Sequence, residues 1–235
     1  MVAPAFPASW STVSDCPHPN LLDSHEEYIP QGYPVPSNNC LPNFSSWFPG
    51  DIILFCPKQP SPIQQLIETA QLKAVASIYA SLHACWTHVA IYMGKGLICD
   101  ATVSGGSSQY PVSNLLNEGS IRVRRLGAIS DQERIDLANN AISQIGIPYS
   151  RLKAFLAGIA PQAPAPIRQL LQQFPALENE TFCSEFVNQR YIDVTNTSFR
   201  TQAIPCALPC SFSYTGLLTE VQIGWRRARH LPIGP

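Results

Sequence analysis

The chain has 235 residues, which is long enough to bury a substantial hydrophobic core. Charged residues make up 13% of it, against about 25% in an average soluble domain, and the formal net charge is -1. This balance excludes the basic surface with which proteins bind nucleic acid or an anionic membrane.

The N-terminal part and the main part of the chain differ in pattern. Residues 1–45 are rich in Pro, Asn and Ser without a sustained hydrophobic period, which predicts an irregular N-terminal arm. A single compact domain is predicted over 46–235. It begins with an apolar strand from Ile52 to Cys56, after the turn at 49–51. Apolar residues at helical spacing then predict a helix from Pro62 to Leu82.

The segment "THVAIYMGKGLICDAT" predicts a β-hairpin around the turn at 94–96. A three-residue loop there pairs Ala90 with Asp100, so His88 and Asp100 share one face of the sheet at diagonal positions. A two-residue loop would instead move Asp100 to the opposite face, because side chains alternate along a strand.

The second half of the domain alternates between strand and helix. "IRVRRL" at 121–126 predicts a strand, and Ser130 with Glu133 forms a capping box for the following helix, which Gly146 ends. The predicted apolar face of that helix consists of residues 135, 138, 141, 142 and 145. Residues 151–180 form a proline-interrupted helical insertion. A helix at Cys183 and then strands and a short helix up to Trp225 complete an α+β fold, a small antiparallel sheet flanked by helices.

Cys183 stands where the chemistry of a nucleophilic thiol is favoured. The free N–H groups and the dipole at a helix N-terminus stabilise a thiolate, and the same N–H groups can hold an oxyanion. His88 is the candidate base, and Asp100 or Thr102 would orient its imidazole. Each residue also has a structural interpretation, because buried histidines and helical cysteines usually pack in the core and Asp100 could close a strand.

Five segments, taken in order, resemble the circularly permuted branch of the NlpC-type papain-like cysteine peptidases, the YiiX-like group. In that branch the histidine strand precedes the cysteine helix, as it does here. The segments are "PGDIILF" at 49–55, "THVAIYMG" at 87–94, "ICDAT" at 98–102, "IGIPYS" at 145–150 and "FCSEFV" at 182–187. The resemblance implies a permuted papain-like fold.

The resemblance also implies roles for individual residues. Cys183 corresponds to the nucleophile and His88 to the general base, and Asp100 stands where the group usually has Glu followed by Ala. Tyr149 is similar to the tyrosine that lines the cleft and can contribute to an oxyanion hole. Thr102 and Ser184 are further candidates for contacts with the substrate or the oxyanion.

The implied activity is hydrolysis of amide bonds in peptidoglycan stem peptides through an acyl-enzyme intermediate. Two alternatives use the same fold: a lipid acyltransferase or thioesterase with the same Cys-His pair, and a binding module without turnover. The start of the chain lacks the pattern of a secretory signal, and no apolar run is long enough to span a membrane. We therefore expect synthesis in the cytoplasm and delivery by a secretion machine to a rival periplasm, as an effector toxin with an immunity protein as partner.

The eight cysteines form no CxxC pair, and the histidines show no zinc-ligand spacing. We therefore expect neither a structural metal nor a cofactor. In an oxidising compartment Cys16 could pair with Cys40, or Cys206 with Cys210.

Overall fold

The computed structural model describes residues 12–13, 23–29, 36, 39–74, 80–151, 154, 180–200 and 207–230. Most of the predicted N-terminal arm and almost all of the predicted insertion at 151–180 therefore lie outside the described residues. Within the described ranges, no helix is long and apolar enough to cross a membrane.

The described elements alternate between strands and helices in an α+β fold, as predicted. The strands are β1 (Thr12–Val13), β2 (Asp23–Ile29), β3 (Cys40–Pro42), β4 (Ile52–Pro57), β5 (His88–Gly94), β6 (Leu97–Thr102), β7 (Gly106–Pro111), β8 (Gly119–Leu126), β9 (Leu218–Glu220) and β10 (Trp225–His230). The helices are α1 (Pro62–Ala74), α2 (Ala80–Ala84), α3 (Ser113–Leu116), α4 (Asp131–Ser143), α5 (Cys183–Thr195) and α6 (Pro209–Tyr214). The helix predicted over 62–82 is thus described as α1 and α2, with 75–79 outside the described residues.

The strands form two sheets. The main sheet has the order β1-β8-β4-β5-β6-β7 with antiparallel neighbours, and β9 also pairs with β8. In the smaller sheet β10 lies between β2, which is parallel to it, and β3, which is antiparallel. The prediction of an irregular arm was wrong for β2 and β3. Their partner β10 lies at the far end of the chain, and β2 has no apolar alternation, so no local pattern reveals the pairing.

The main sheet separates two hydrophobic cores. Ile52 and Leu54 of β4 face the core that α4, α5 and α6 cover, whereas Ile53 and Phe55 face the core on the side of the smaller sheet. A strand that is buried on both faces has a continuous apolar sequence, which explains the run at 52–56. Helix α5 packs on β5 and β6, and this contact brings its first residue to the candidate site.

The β5–β6 hairpin turns through two residues, not three. Gly94 pairs with Leu97, and both intervening residues have positive φ, 52° at Lys95 and 72° at Gly96. Turns with two positive φ values match the twist of antiparallel strands and favour glycine, which explains the Gly-rich sequence. Of the two loop lengths considered, the two-residue turn is the one present.

A β-bulge next to this turn restores the predicted register. The pairing shifts between Tyr92 and Gly94, so Met93 is an extra residue without a partner on β6. Beyond the bulge Ile91 pairs with Cys99, which is the register of the three-residue loop. The extra residue thus cancels the effect of the shorter turn, and Asp100 stays on the face of the sheet that carries His88.

Helix α4 begins as predicted but presents a different face to the core. The capping box of Ser130 and Glu133 is present, whereas the helix ends at Ser143, before Gly146. Of the predicted apolar face, only residues 138 and 141 are buried, and the isoleucines at 135, 142 and 145 are 48%, 47% and 44% exposed. The buried side of α4 consists of Arg134, Leu137, Ala138 and Ala141. The prediction favoured the large isoleucines, whereas the structure buries small alanines and an arginine.

The turn before β4 is held by a buried ion pair. Asp51 is fully buried and accepts from Arg125 through both oxygens, Nε at 2.7 Å and Nη2 at 2.6 Å. The backbone N–H of Phe48 also donates to Asp51, at 2.8 Å, and the Arg125 guanidinium lies 4.2 Å from the centre of the Phe48 ring. Gly50 accepts from the Tyr191 hydroxyl of α5. These contacts join β4, β8 and α5.

We expect Asp51→Ala to lower the free energy of unfolding by about 3 kcal/mol, because it leaves the charge of Arg125 without its buried partner. Urea denaturation followed by circular dichroism measures the change. The control is Asp136→Ala, which removes an exposed carboxylate on α4 and is expected to cost less than about 0.5 kcal/mol. Equal effects of the two substitutions would show that the Asp51 ion pair contributes nothing to stability.

Candidate active site

His88 and Asp100 form a hydrogen-bonded pair at one end of the main sheet. His88 is the first residue of β5, and its Nε2 lies 2.5 Å from Oδ2 of Asp100. The aspartate is fully buried, and the histidine side chain is 15% exposed. The carboxylate is therefore long enough to reach the imidazole, although it is shorter than the glutamate of the resembling group. With Nε2 occupied, Nδ1 is the ring nitrogen left for a further partner.

Tyr110 of β7 also binds Asp100, and the sequence analysis did not identify it. Its hydroxyl donates to the same Oδ2 that contacts His88. Ser108 pairs with Asp100, so Tyr110 lies diagonally across from the aspartate on the same face. Burial and the charge of Asp100 raise the pKa of Tyr110, which keeps the phenol protonated as a donor. Tyr110 was not identified because the sequence of β7, "GSSQYP", lacks the apolar pattern that predicts a strand.

Cys183 is the first residue of α5, as predicted. Phe182 before it is extended, with φ -133° and ψ 165°, and no side chain caps the helix. The first-turn N–H groups of a helix have no partner within the helix, so they can stabilise negative charge on sulfur or on an oxyanion. Cys183 is a free thiol that is 2% exposed and lines a cleft. Phe186 and Val187 anchor the helix in the core.

Cys183 and His88 line the same cleft and lie close enough to interact. Burial lowers the pKa of His88, but the thiolate charge of Cys183, the charge of Asp100 and the hydrogen bonds to both raise it further, so the net pKa lies well above its usual value. The imidazole therefore carries a proton at neutral pH, between a sulfur on one side and a carboxylate on the other. This is the arrangement of an activated thiol nucleophile with an oriented base.

Ser107 of β7 connects the histidine side of the site to the segment that precedes Tyr149. Its hydroxyl donates to the Gln144 carbonyl at 2.5 Å and accepts from the Ile147 N–H at 2.7 Å, and its N–H donates to the Ile147 carbonyl at 2.8 Å. Gly106 is required next to it, because a Cβ there would lie 2.5 Å from the Ile147 oxygen and its φ is +64°.

The same segment reaches the nucleophile through backbone pairing. Tyr149 forms a parallel bridge with Thr181, two residues before Cys183, and the Ser150 N–H donates to the Thr181 carbonyl at 2.7 Å. Burial, then the charges of Cys183 and Asp100, raise the pKa of Tyr149. Its hydroxyl is therefore protonated, and Tyr149 lines the cleft together with Cys183, which suits a donor to an oxyanion.

The cleft has a volume of about 310 Å³. Thr102 lines it, but its hydroxyl accepts from the Gly105 N–H at 3.2 Å, and Asp100 is the residue that contacts His88. Ser184 is fully buried, does not line the cleft, and its hydroxyl has no hydrogen-bond partner among the described residues. Only the backbone N–H of Ser184 is thus a candidate for the oxyanion.

The remaining cysteine predictions are tested only in part. Cys40 is disulfide-bonded, while Cys16 and Cys206 lie outside the described residues. Cys210 is not in a disulfide, so the predicted pair Cys206–Cys210 was wrong. Among the residues that the structure describes, no group of three or more His, Cys, Asp or Glu side chains could hold a metal ion.

We expect Tyr110→Phe to slow alkylation of Cys183 by iodoacetamide about tenfold at pH 7. A hydrogen bond to a charged group contributes about 1.5–3 kcal/mol, and without it Asp100 is held less firmly toward His88. Peptide mass mapping over time measures the rate at Cys183. The control is Gln109→Ala, an exposed neighbour on β7, which should leave the rate unchanged. Equal rates in both variants would contradict a role for Tyr110 in positioning the aspartate.

We expect His88 to titrate well above the usual value of about 6.5, and either Cys183→Ala or Asp100→Asn to lower its pKa by about one unit or more. Each substitution removes a negative charge that favours the imidazolium. NMR titration of the histidine rings measures this directly. His83 is the internal reference, because burial and the charges of Arg122 and Arg124 lower its pKa to about 4. A His88 pKa that is unchanged in both variants would contradict the ion-pair arrangement.

The chain matches one protein-family model and is similar to solved structures. Residues 47–153 match the family described as permuted papain-like amidase enzyme, YaeF/YiiX, C92 family. His88, Asp100, Tyr110 and Tyr149 lie within the matched range, and Cys183 follows it. The crystal structure of metalloprotein yiiX from Escherichia coli O157:H7 is similar with a TM-score of 0.51 and 19% identity, over 76% of this chain and 99% of that chain. No curated protein matches the chain.

These matches correct one detail of the sequence analysis and confirm its main conclusion. The matched family is that of YaeF and YiiX, so the assignment to the NlpC type was inaccurate. The α+β architecture agrees with the fold of yiiX, in which the similarity covers nearly the whole solved chain. The predicted resemblance of this chain to the permuted, YiiX-like papain-like cysteine hydrolases is therefore confirmed.

Proposed function

We propose that this protein cleaves amide bonds in peptidoglycan stem peptides through an acyl-enzyme intermediate on Cys183. The class of cysteine amidase follows from the matched family. The observation that carries the proposal is the series Cys183–His88–Asp100, in which Cys183 and His88 line the cleft and His88 is hydrogen-bonded to the buried Asp100. A binding module would have no use for a buried carboxylate that holds a protonated imidazole beside a thiol.

Cys183, His88 and Asp100 account for both half-reactions, which are formation and hydrolysis of the acyl-enzyme. The thiolate of Cys183 attacks the amide carbonyl carbon, and His88 gives its proton to the leaving amine as the C–N bond breaks. A water molecule then attacks the thioester. His88 takes the proton of that water, the C–S bond breaks, and the carboxylic acid leaves. Asp100 keeps the imidazole in one orientation and stabilises its charged form throughout.

The tetrahedral intermediates carry negative charge on the former carbonyl oxygen. Two groups next to the thiol are placed to bind it: the first-turn N–H groups of α5 and the protonated hydroxyl of Tyr149. Removal of one oxyanion donor typically costs about 100-fold or more in rate. The site therefore contains the parts that acyl transfer from an amide requires.

The lining of the cleft supports a short peptide as the substrate. Its volume of about 310 Å³ lies at the lower end of the roughly 300–1,000 Å³ that small-molecule sites span. Polar side chains that can bind amide groups lie along its walls, namely Ser61, Gln64, Thr87, Thr102, Ser104 and Glu118. Among the residues that the structure describes, no lysine or arginine lines it, so a phosphate-rich substrate would lack the Arg and Lys partners that phosphate groups usually bind.

One observation favours a second candidate function, transfer or hydrolysis of a lipid acyl group. Apolar side chains also line the cleft, namely Phe55, Ile63, Ile67, Val103 and Leu115. A thioester on Cys183 is the intermediate in both reactions, so the catalytic residues do not discriminate between them.

We expect the protein to release soluble muropeptides from purified peptidoglycan, and Cys183→Ala to abolish this release. Mass spectrometry of the fragments identifies the bond that is cleaved. Gln189→Ala is the control, because Gln189 lies on α5 but is not part of the cleft lining. If peptidoglycan stays intact while p-nitrophenyl octanoate is hydrolysed by the wild type and not by Cys183→Ala, the acyl-group function replaces the one proposed.

Delivery as an effector toxin stays a prediction, with an immunity protein and a component of a secretion machine as partners. It rests on the proposed cleavage of peptidoglycan. The same two proteins test it when each is directed to the periplasm of a test bacterium. Lysis by the wild type but not by Cys183→Ala is the expected result, and harmless expression of an active wild type would contradict a toxic role.

A further inference from the structure

Two thiols outside the catalytic series lie in contact with each other. Cys56 of β4 is half-buried, and Cys85, which follows α2, is 6% exposed. Both are free thiols whose side chains interact with each other, and the Cys85 thiol also donates to the Leu82 carbonyl at 3.2 Å. Neither takes part in the catalytic steps described above, although Cys85 precedes His88 by only three residues.

The backbone on both sides of this contact is held in place. Cys56 lies in the β4–β8 ladder, where it pairs with Ser120. The segment around Cys85 is fixed by the buried Gln71, whose Nε2 donates to the Ala84 carbonyl at 2.7 Å and the Trp86 carbonyl at 3.0 Å. The approach of the two sulfur atoms is therefore a property of the fold rather than of two mobile side chains.

The two thiols are not equivalent. The hydrogen bond from Cys85 lowers the pKa of Cys56, against burial and the charge of Glu68. The pKa of Cys85 is raised, first by its bond to Cys56 and then by burial. Since the thiolate is the reactive form of a cysteine, the accessible Cys56 is the better attacking group, and the buried Cys85 is placed to react second.

We propose that Cys56 and Cys85 form a redox-active dithiol that a low-molecular-weight disulfide oxidises to an intramolecular disulfide. In the first step the Cys56 thiolate attacks one sulfur of the small disulfide, whose S–S bond breaks and releases one thiolate. In the second step Cys85 loses its proton and attacks Cys56 in the mixed disulfide, releasing the second thiolate. Two electrons thus pass from the protein to the small disulfide, which becomes two thiols.

The dithiol is not part of the catalytic series, although it lies close to it in the fold. Phe55 pairs with His88 across β4 and β5, and the Thr87 N–H donates to the Phe55 carbonyl at 3.1 Å. A bond between Cys56 and Cys85 joins the same two chain segments, which this pairing already holds together. Oxidation at this site therefore leaves Cys183 as a free thiol.

The experiment uses the full chain with Cys183→Ala, which removes the catalytic thiol as a competitor. The protein is incubated with oxidised glutathione, and its peptides are mapped by mass without reduction. We expect a peptide pair linked through Cys56 and Cys85. Cys99 is the internal control, because burial raises its pKa to about 12 and it should stay unmodified.

Two further variants separate the steps. In Cys85→Ser the mixed disulfide with glutathione should persist on Cys56, because nothing resolves it. In Cys56→Ser both the linked pair and the adduct should be lost. The mapping of the parent protein already decides the question if a variant does not fold: absence of the linked pair, or a glutathione adduct on Cys56 that persists beside a free Cys85, overturns the proposal. Because mapping needs no substrate, the result is independent of the proposed function.

Discussion

The hydrogen bond between His88 and Asp100 depends on the register of the β5–β6 hairpin. The turn has two residues, which without compensation would place Asp100 on the opposite face. Met93 is the extra residue of a bulge that shifts the register back, so the carboxylate and the imidazole meet at 2.5 Å. Tyr110 binds the carboxylate of this pair, and Cys183 interacts with its imidazole.

The nucleophile and the base come from distant parts of the chain and need a common support. Ser107 of β7 supplies it by hydrogen bonding to both sides of the loop at 144–147. That loop leads to Tyr149, which pairs with Thr181 just before the helix of Cys183. The strand next to Asp100 is thus connected by backbone hydrogen bonds to the start of the cysteine helix, and preorganisation of this kind is what a catalytic series requires.

Electrostatic interactions explain why Asp100, His88 and Cys183 are buried together. A buried carboxylate is costly unless it is paired and hydrogen-bonded, and Asp100 has two partners on one oxygen. Its charge and that of the Cys183 thiolate together overcome the effect of burial on the pKa of His88. The low exposure of the site strengthens each of these interactions, because less water screens the charges.

The sequence by itself determined the parts of the site that depend on local pattern and order. These are the β5–β6 hairpin, the capping box of α4, and a cysteine at the first position of a helix. The face on which Asp100 lies was left open, because it depends on the bulge at Met93. The tertiary structure decided the rest: the contact of Cys183 with His88, the role of Tyr110, the pairing of β2 and β3 with β10, and the face of α4 that is buried. Neither the loop at 144–147 nor β7 has an apolar period, because backbone and hydroxyl hydrogen bonds hold them. Such bonds join residues far apart in the chain and produce no periodic pattern in the sequence. Burial of one face of a helix or strand does produce a periodic pattern.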